Sequence, residues 1–91
     1  MKVWKFPIDI DLKSSTTTPI SASKLLSCGQ QHGILMVWAL VDDDEAANKE
    51  FRVYPYITGE PVYAFDGFLG TVQIPKEFHS FEVVIHMFWR G

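Results

Sequence analysis

Two stretches of the chain, Ile34-Leu-Met-Val-Trp-Ala-Leu-Val41 and Val83-Val-Ile-His-Met-Phe-Trp89, are apolar at almost every position. A strand packed on one core alternates apolar with polar residues, whereas a strand apolar on both sides needs cover on both faces of its sheet. With 91 residues, the chain suits one domain that buries roughly 60 to 65% of its unfolded surface, a marginal fraction for a protein without staples. A second copy of the chain is the expected cover for the remaining face, so the sequence predicts a homo-oligomer.

The flanking segments read as strands and turns. Residues 2–10 predict a first strand, with Trp4, Phe6, Ile8 and Ile10 on one side and Lys5, Pro7 and Asp9 on the other. Pro7 has no N–H to give a neighbour, which places this strand at a sheet edge. Residues 14–20, rich in β-branched side chains, fit either a short strand or a loop. His32-Gly33 separates Ser23–Gln31 from the Ile34–Val41 run, and a glycine there suits a hairpin turn with positive φ. Asp42-Asp-Asp-Glu45 is a solvated loop, since four adjacent acids repel in a sheet, and its spacing lacks the glycine and glutamate of a calcium-binding hand. Phe51–Ile57 alternates with period two, setting Phe51, Val53, Pro55 and Ile57 on one face and Arg52, Tyr54 and Tyr56 on the other. Thr58-Gly-Glu-Pro61 is a turn. Gly67 and Gly70 break residues 62–74 into a loop and a short strand, Leu69–Ile74. Residues 75–80 form another turn, and a last strand runs from Phe81 to Arg90.

No stretch keeps helical spacing for three capped turns. The expected fold is therefore all-β, a small antiparallel sandwich or partly open barrel spanning residues 1–91 as one domain. The single cysteine, Cys28, excludes an internal disulfide framework and a cysteine zinc cluster, in keeping with a reducing compartment. The N-terminal residues lack the apolar core of a signal peptide, and no run approaches the ~20 residues that cross a bilayer. A soluble cytoplasmic protein without membrane association is expected. A net charge of −3 opposes binding along a nucleic-acid backbone, which draws affinity from clustered Lys and Arg. It leaves room for a small anionic ligand held by a few placed cations.

Taken in order, Met1-Lys-Val-Trp-Lys-Phe-Pro-Ile8, Lys24-Leu-Leu with Gln31-His-Gly33, Val37-Trp-Ala-Leu-Val-Asp42, Phe51-Arg-Val53, Thr58-Gly-Glu-Pro-Val62, Leu69-Gly-Thr-Val-Gln73 and Ile85-His-Met-Phe88 resemble a family of small uncharacterised phage and bacterial proteins. In that family the turn reads Thr-Gly-His-Pro and the chain end is acidic. Here Glu60 replaces the turn histidine, and the end is Phe88-Trp-Arg-Gly91. The resemblance implies a phage or prophage accessory protein. By analogy with small oligomeric phage proteins that sequester nucleotide signals of host defence, it suggests a context without supplying an activity.

The residues fit for chemistry are few. Arg52, Tyr54 and Tyr56 share a strand face, and Arg90 follows Phe88 on one face of the last strand. Guanidinium groups fork onto phosphates and aromatic rings stack on bases, each stack contributing about 1 to 3 kcal/mol. The same residue types are enriched at protein interfaces, so a protein contact is the competing reading. His86, inside an apolar strand, is the best single polar candidate, although a hydrogen-bonded structural histidine is the commoner case. His32 and His79 read as solvated. No metal-ligand spacing is found, so no metal or cofactor is expected. Cys28 lacks a recognisable partner for nucleophilic catalysis and reads as a buried small hydrophobe, while Gly67-Phe-Leu-Gly70 has the wrong spacing for a phosphate loop. Trp4, Trp38 and Trp89 are expected in a core or interface, Trp38 foremost in the core. The expected function is a non-enzymatic oligomer that binds a small ligand, a nucleotide signal above all, at or near subunit interfaces. The alternative is a protein-binding module acting on a host or virion protein.

Overall fold

The computed structural model describes residues 1–9, 17–78 and 82–91. Seven strands occur in the order β1 (Lys2–Ile8), β2 (Thr18–Ala22), β3 (Lys24–Gln31), β4 (Ile34–Val41), β5 (Lys49–Ile57), β6 (Gly67–Ile74) and β7 (Val83–Arg90), with one 3₁₀ turn at Glu45–Ala47. They form two antiparallel sheets, β1-β4-β3 and β2-β5-β7-β6, packed face to face as a small sandwich. Ile10, part of 14–20, His79 and Phe81 lie outside the described residues.

Between the sheets, Ile8, Ile20, Leu35, Val37, Val53, Ile74, Ile85 and Met87 are buried in one cluster, and Phe51 closes it under Trp89, ring edge to ring face at 5.5 Å. The chain passes from one sheet to the other at Ser23, whose N–H and hydroxyl both donate to the Leu40 carbonyl at 2.8 and 3.0 Å. That corner lets β2 and β3 serve different sheets without an intervening loop.

The His32-Gly33 hairpin forms as expected. Both residues have positive φ, 52° and 79°, the pairing that matches the twist of the flanking strands. A side chain at Gly33 would also drive its Cβ to 2.4 Å from Phe78, so the turn is closed twice over. β1 is an edge strand, as Pro7 requires. Pro55 sits in β5, which runs between two neighbours, but β2 pairs with β5 only as far as Val53. No described residue pairs with Pro55 on the β2 side, which accommodates a residue without an N–H.

Three expectations need correction. Gly67 and Gly70 are not turn glycines ahead of a strand at Leu69. Both belong to β6, which begins at Gly67 and bulges between Phe68 and Gly70. Gly67 lies under the Trp89 indole, where a Cβ would approach to 2.4 Å, and Gly70 adopts a φ of 153° beside Cys28. The last strand starts at Val83, with Glu82 outside it, and the expected start at Phe81 lies outside the described residues. Trp38 is not in the core between the sheets: it alternates with Val37 and Ala39, which are, and so lies on the outer face of the three-stranded sheet, half-buried over Gly29.

The two doubly apolar strands meet different fates. The outer side of β7 is roofed by the chain itself, because Phe65, in the segment between β5 and β6, stacks on Phe88 at 5.2 Å. The outer side of β4, formed by Ile34, Met36, Trp38 and Leu40, is crossed by the hydrogen bond from the Lys5 ammonium to the Gln31 amide oxygen at 2.8 Å, with Met36 buried and Ile34 50% exposed.

Candidate functional site

All five residues expected to form a site lie on one surface, the outer face of the four-stranded sheet. Period-two alternation places Arg52, Tyr54 and Tyr56 of β5 outward, and the register with β7 sets Arg52 opposite Arg90, Tyr54 opposite Phe88 and Tyr56 opposite His86. The inward partners of the same strands, Phe51, Val53, Ile85 and Met87, are buried, so core packing fixes which way these side chains point.

At one end of this face the two arginines stand side by side. The Arg52 guanidinium meets Glu50 at 3.2 Å and donates to the Thr17 hydroxyl at 3.1 Å. The Arg90 guanidinium lies over two rings, 5.5 Å from the centre of Tyr54 and 4.9 Å from that of Phe65, and donates to the Ala64 carbonyl at 2.8 Å. Among the described residues Arg90 meets no carboxylate. Glu50, Arg52, Tyr54, Arg90 and Gly91 line an open cleft of ≈ 290 Å³. Like charges directly opposite on neighbouring strands repel by roughly 0.2 to 1 kcal/mol, and one glutamate offsets only half of the pair.

Toward the middle, the aromatic residues turn from a platform into a packed cluster. Phe65 contacts Tyr54 at 4.9 Å and Tyr56 at 5.7 Å, and Phe68 contacts Phe88 at 5.1 Å. Tyr56 keeps 9% of its surface, and burial pushes its hydroxyl above the ordinary tyrosine pKa, with Glu60 adding to the rise. Tyr56 thus braces the face and leaves Tyr54 as the ring beside the cleft. Phe65 was not legible as part of the site, although an aromatic residue within the loop Pro61–Asp66 was its one signal.

His86 is fully engaged. Its Nε2 lies 2.8 Å from the Thr58 hydroxyl and its Nδ1 3.1 Å from that of Thr71, so the imidazole ties the 58–61 turn and β6 to β7. It stands apart from the arginine cleft, with Phe88 between it and Arg90 along β7. Glu60 accepts a hydrogen bond from the Ile57 N–H at 2.9 Å and so closes its turn, with Gly59 at a φ of 99°. His32 is exposed in its hairpin.

Cys28 is half-buried against the core, and burial pushes its thiol above the ordinary cysteine pKa. Near neutral pH it is protonated, the form that is neither nucleophile nor ligand. Alkylation of the native protein by iodoacetamide should run at least about ten-fold slower than that of glutathione and match it in urea; equal native rates would contradict this account.

A larger cleft, ≈ 690 Å³, lies away from these residues, at the open seam between the edge strands β1 and β2. Trp4 and Phe6 form one wall, and Asp42, Asp43 and Glu45 line another side. Of the two places expected for Trp4, a core or an interface, the core does not hold it, since it is 53% exposed, and the Lys2 ammonium lies 5.1 Å from its ring centre. The seam exposes it because β1 and β2 do not pair. By size this cleft exceeds the arginine cleft, but among the described residues its only basic lining residue is Lys2, whereas the smaller one joins two guanidiniums to an aromatic ring.

With the arrangement in view, comparison with protein-family models gives one match, a domain of unknown function, DUF7352, over residues 1–90. The chain belongs to this family. No curated protein and no solved structure matches it. The DUF7352 match spans both sheets, so the arginine cleft and the seam cleft both fall within the family's domain. Among the described residues no helix is long and apolar enough to cross a membrane.

Proposed function

We propose that this protein is a non-catalytic binding protein of phage or prophage origin, which holds a small anionic ligand of the nucleotide class between Arg52 and Arg90 and withdraws it as a signal of host defence in the cytoplasm. The observation that carries the reading is the register of β5 with β7, which sets Arg52 and Arg90 opposite each other beside Tyr54. Two forks at adjacent positions suit a phosphate, and the tyrosine edge suits a base or ribose. The cleft volume of ≈ 290 Å³ lies at the small end for ligand sites, so the phosphate and part of a nucleoside are held while the rest stays in water.

Calorimetric titration against cyclic mononucleotides, cyclic dinucleotides and adenosine diphosphate ribose derivatives tests the proposal. Heat is expected with at least one member and should weaken with salt, as a charge-assisted contact does. Absence of heat throughout the panel at high protein concentration would reject it.

A second reading, a module that binds a host or virion protein, is favoured by one observation: an exposed tryptophan with Phe6 in the larger seam cleft, bordered by three carboxylates. Exposed tryptophans commonly anchor protein partners. A stoichiometric protein captured from host lysate, surviving high salt and lost on Trp4→Ala, would favour this reading over the first.

A further inference from the structure

We infer that the seam between β1 and β2 receives an extended segment of a basic partner protein, with an arginine or lysine side chain laid on Trp4; this gives the second reading above its partner chemistry and rests on that reading. The sandwich is closed on one flank, where β3 lies against β6. It is open on the other, where β1 and β2 end their sheets without pairing to each other. Each therefore presents a free strand edge. Period two puts Lys2, Trp4, Phe6 and Ile8 on one side of β1, the side that enters the core: Ile8 is buried in it and Phe6 packs against it. Trp4 continues that row past the end of the core and stands half exposed. Among the described residues no strand lies opposite it, so the row has room for one more.

Charge selects the occupant. Asp42, Asp43 and Glu45 line the cleft, against Lys2 as the one basic lining residue among those described. Their loop is closed on itself: the Asp42 N–H donates to the Asn48 side-chain oxygen at 2.8 Å, and the Asn48 amide donates back to the Asp42 carbonyl at 3.0 Å. The carboxylates therefore keep their place beside the indole. The chain's own cations already make both contacts that a partner would make, since the Met1 ammonium lies 3.3 Å from Asp43 and the Lys2 ammonium 5.1 Å from the centre of the Trp4 ring. Both are exposed, and exposed pairs stabilise little, which leaves them exchangeable for a partner's cation. An arginine gains more than Lys2 does, because its planar guanidinium stacks on the indole while its N–H groups fork onto a carboxylate. The volume of ≈ 690 Å³ exceeds what a single guanidinium fills and lies within the range of ligand sites, so a run of backbone accompanies the cation. That backbone adds to the edge of β1 and stops short of Pro7, which has no N–H to offer. The arginine cleft carries the opposite charge, so the two sites draw different ligands.

Selection of a displayed library of random nonapeptides on the intact protein, followed by fluorescence anisotropy of the enriched peptides, tests the inference. Enrichment of peptides with an arginine or lysine between apolar neighbours is expected, with binding that weakens as salt rises. Joint Asp43→Lys and Glu45→Lys, both at exposed side chains, should weaken binding at least about ten-fold with the fold intact by circular dichroism, and so should Trp4→Ala. Glu77→Lys, a reversal at another exposed position, should leave it unchanged. No enrichment, enrichment of acidic peptides, or basic peptides that bind the variants as tightly as the parent would overturn the inference. So would arginine amide bound as tightly as the whole peptide, because the cation alone would then account for the site. A non-basic protein captured from lysate and lost on Trp4→Ala would overturn it as well, while leaving the second reading in place.

Discussion

Ile85→Ala is expected to lower the unfolding free energy by about 3 to 4 kcal/mol, the range for emptying a fully buried aliphatic site. Ile85 keeps 0% of its surface and sits on β7 between Ile57 of β5 and Val72 of β6. Its loss leaves a cavity in the middle strand, where neighbours on both sides are held by ladders and cannot collapse inward. A domain of this size is stable by roughly 5 to 14 kcal/mol, so the variant forfeits a large part of the whole. Urea unfolding followed by tryptophan fluorescence gives the number. A loss below about 1 kcal/mol would mean that the site relaxes freely and that the close packing assigned to the two sheets is wrong.

The second large effect concerns the ligand. Joint replacement of Arg52 and Arg90 by alanine should reduce affinity for the best nucleotide of the panel by more than about 100-fold, because a hydrogen bond to a charged group contributes about 1.5 to 3 kcal/mol and two are removed together. Arg90→Ala alone also uncovers Tyr54 and Phe65, so its effect mixes charge with packing. Arg90→Lys separates the two: the charge stays, the fork and the planar stack go, and an intermediate loss is expected. Binding unchanged in the double variant, with its fold intact by circular dichroism, would remove the cleft from consideration.

The face that carries the cleft was partly legible from the chain alone. Alternation along Phe51–Ile57 sorted Arg52, Tyr54 and Tyr56 to one side because the strand period is fixed by backbone geometry, and the same parity joined His86 to Arg90. What alternation does not contain is the register between two strands. That Arg52 faces Arg90, while His86 faces Tyr56 and lies away from the cleft, follows from how Val53, Ile85 and Met87 fit together inside. The role of Phe65 was hidden for a related reason: a loop residue has no period, and only the folded chain shows which surface it caps.

Local chemistry in the sequence determined the strands, the edge position of the proline-bearing first strand and the His32-Gly33 turn, since each depends on dihedral freedom, missing donors or period-two patterning within a few residues. It also determined that the chain carries more apolar strand surface than one core accepts. Only the tertiary structure decided where the excess goes: Phe65 covers the outer side of β7, while on the outer side of β4 Met36 is buried and Ile34 stays half exposed. An apolar side chain gains from any partner that excludes water, because hydrophobic burial has no direction. The sequence therefore records the need for cover, and the three-dimensional path of the chain selects which face is covered.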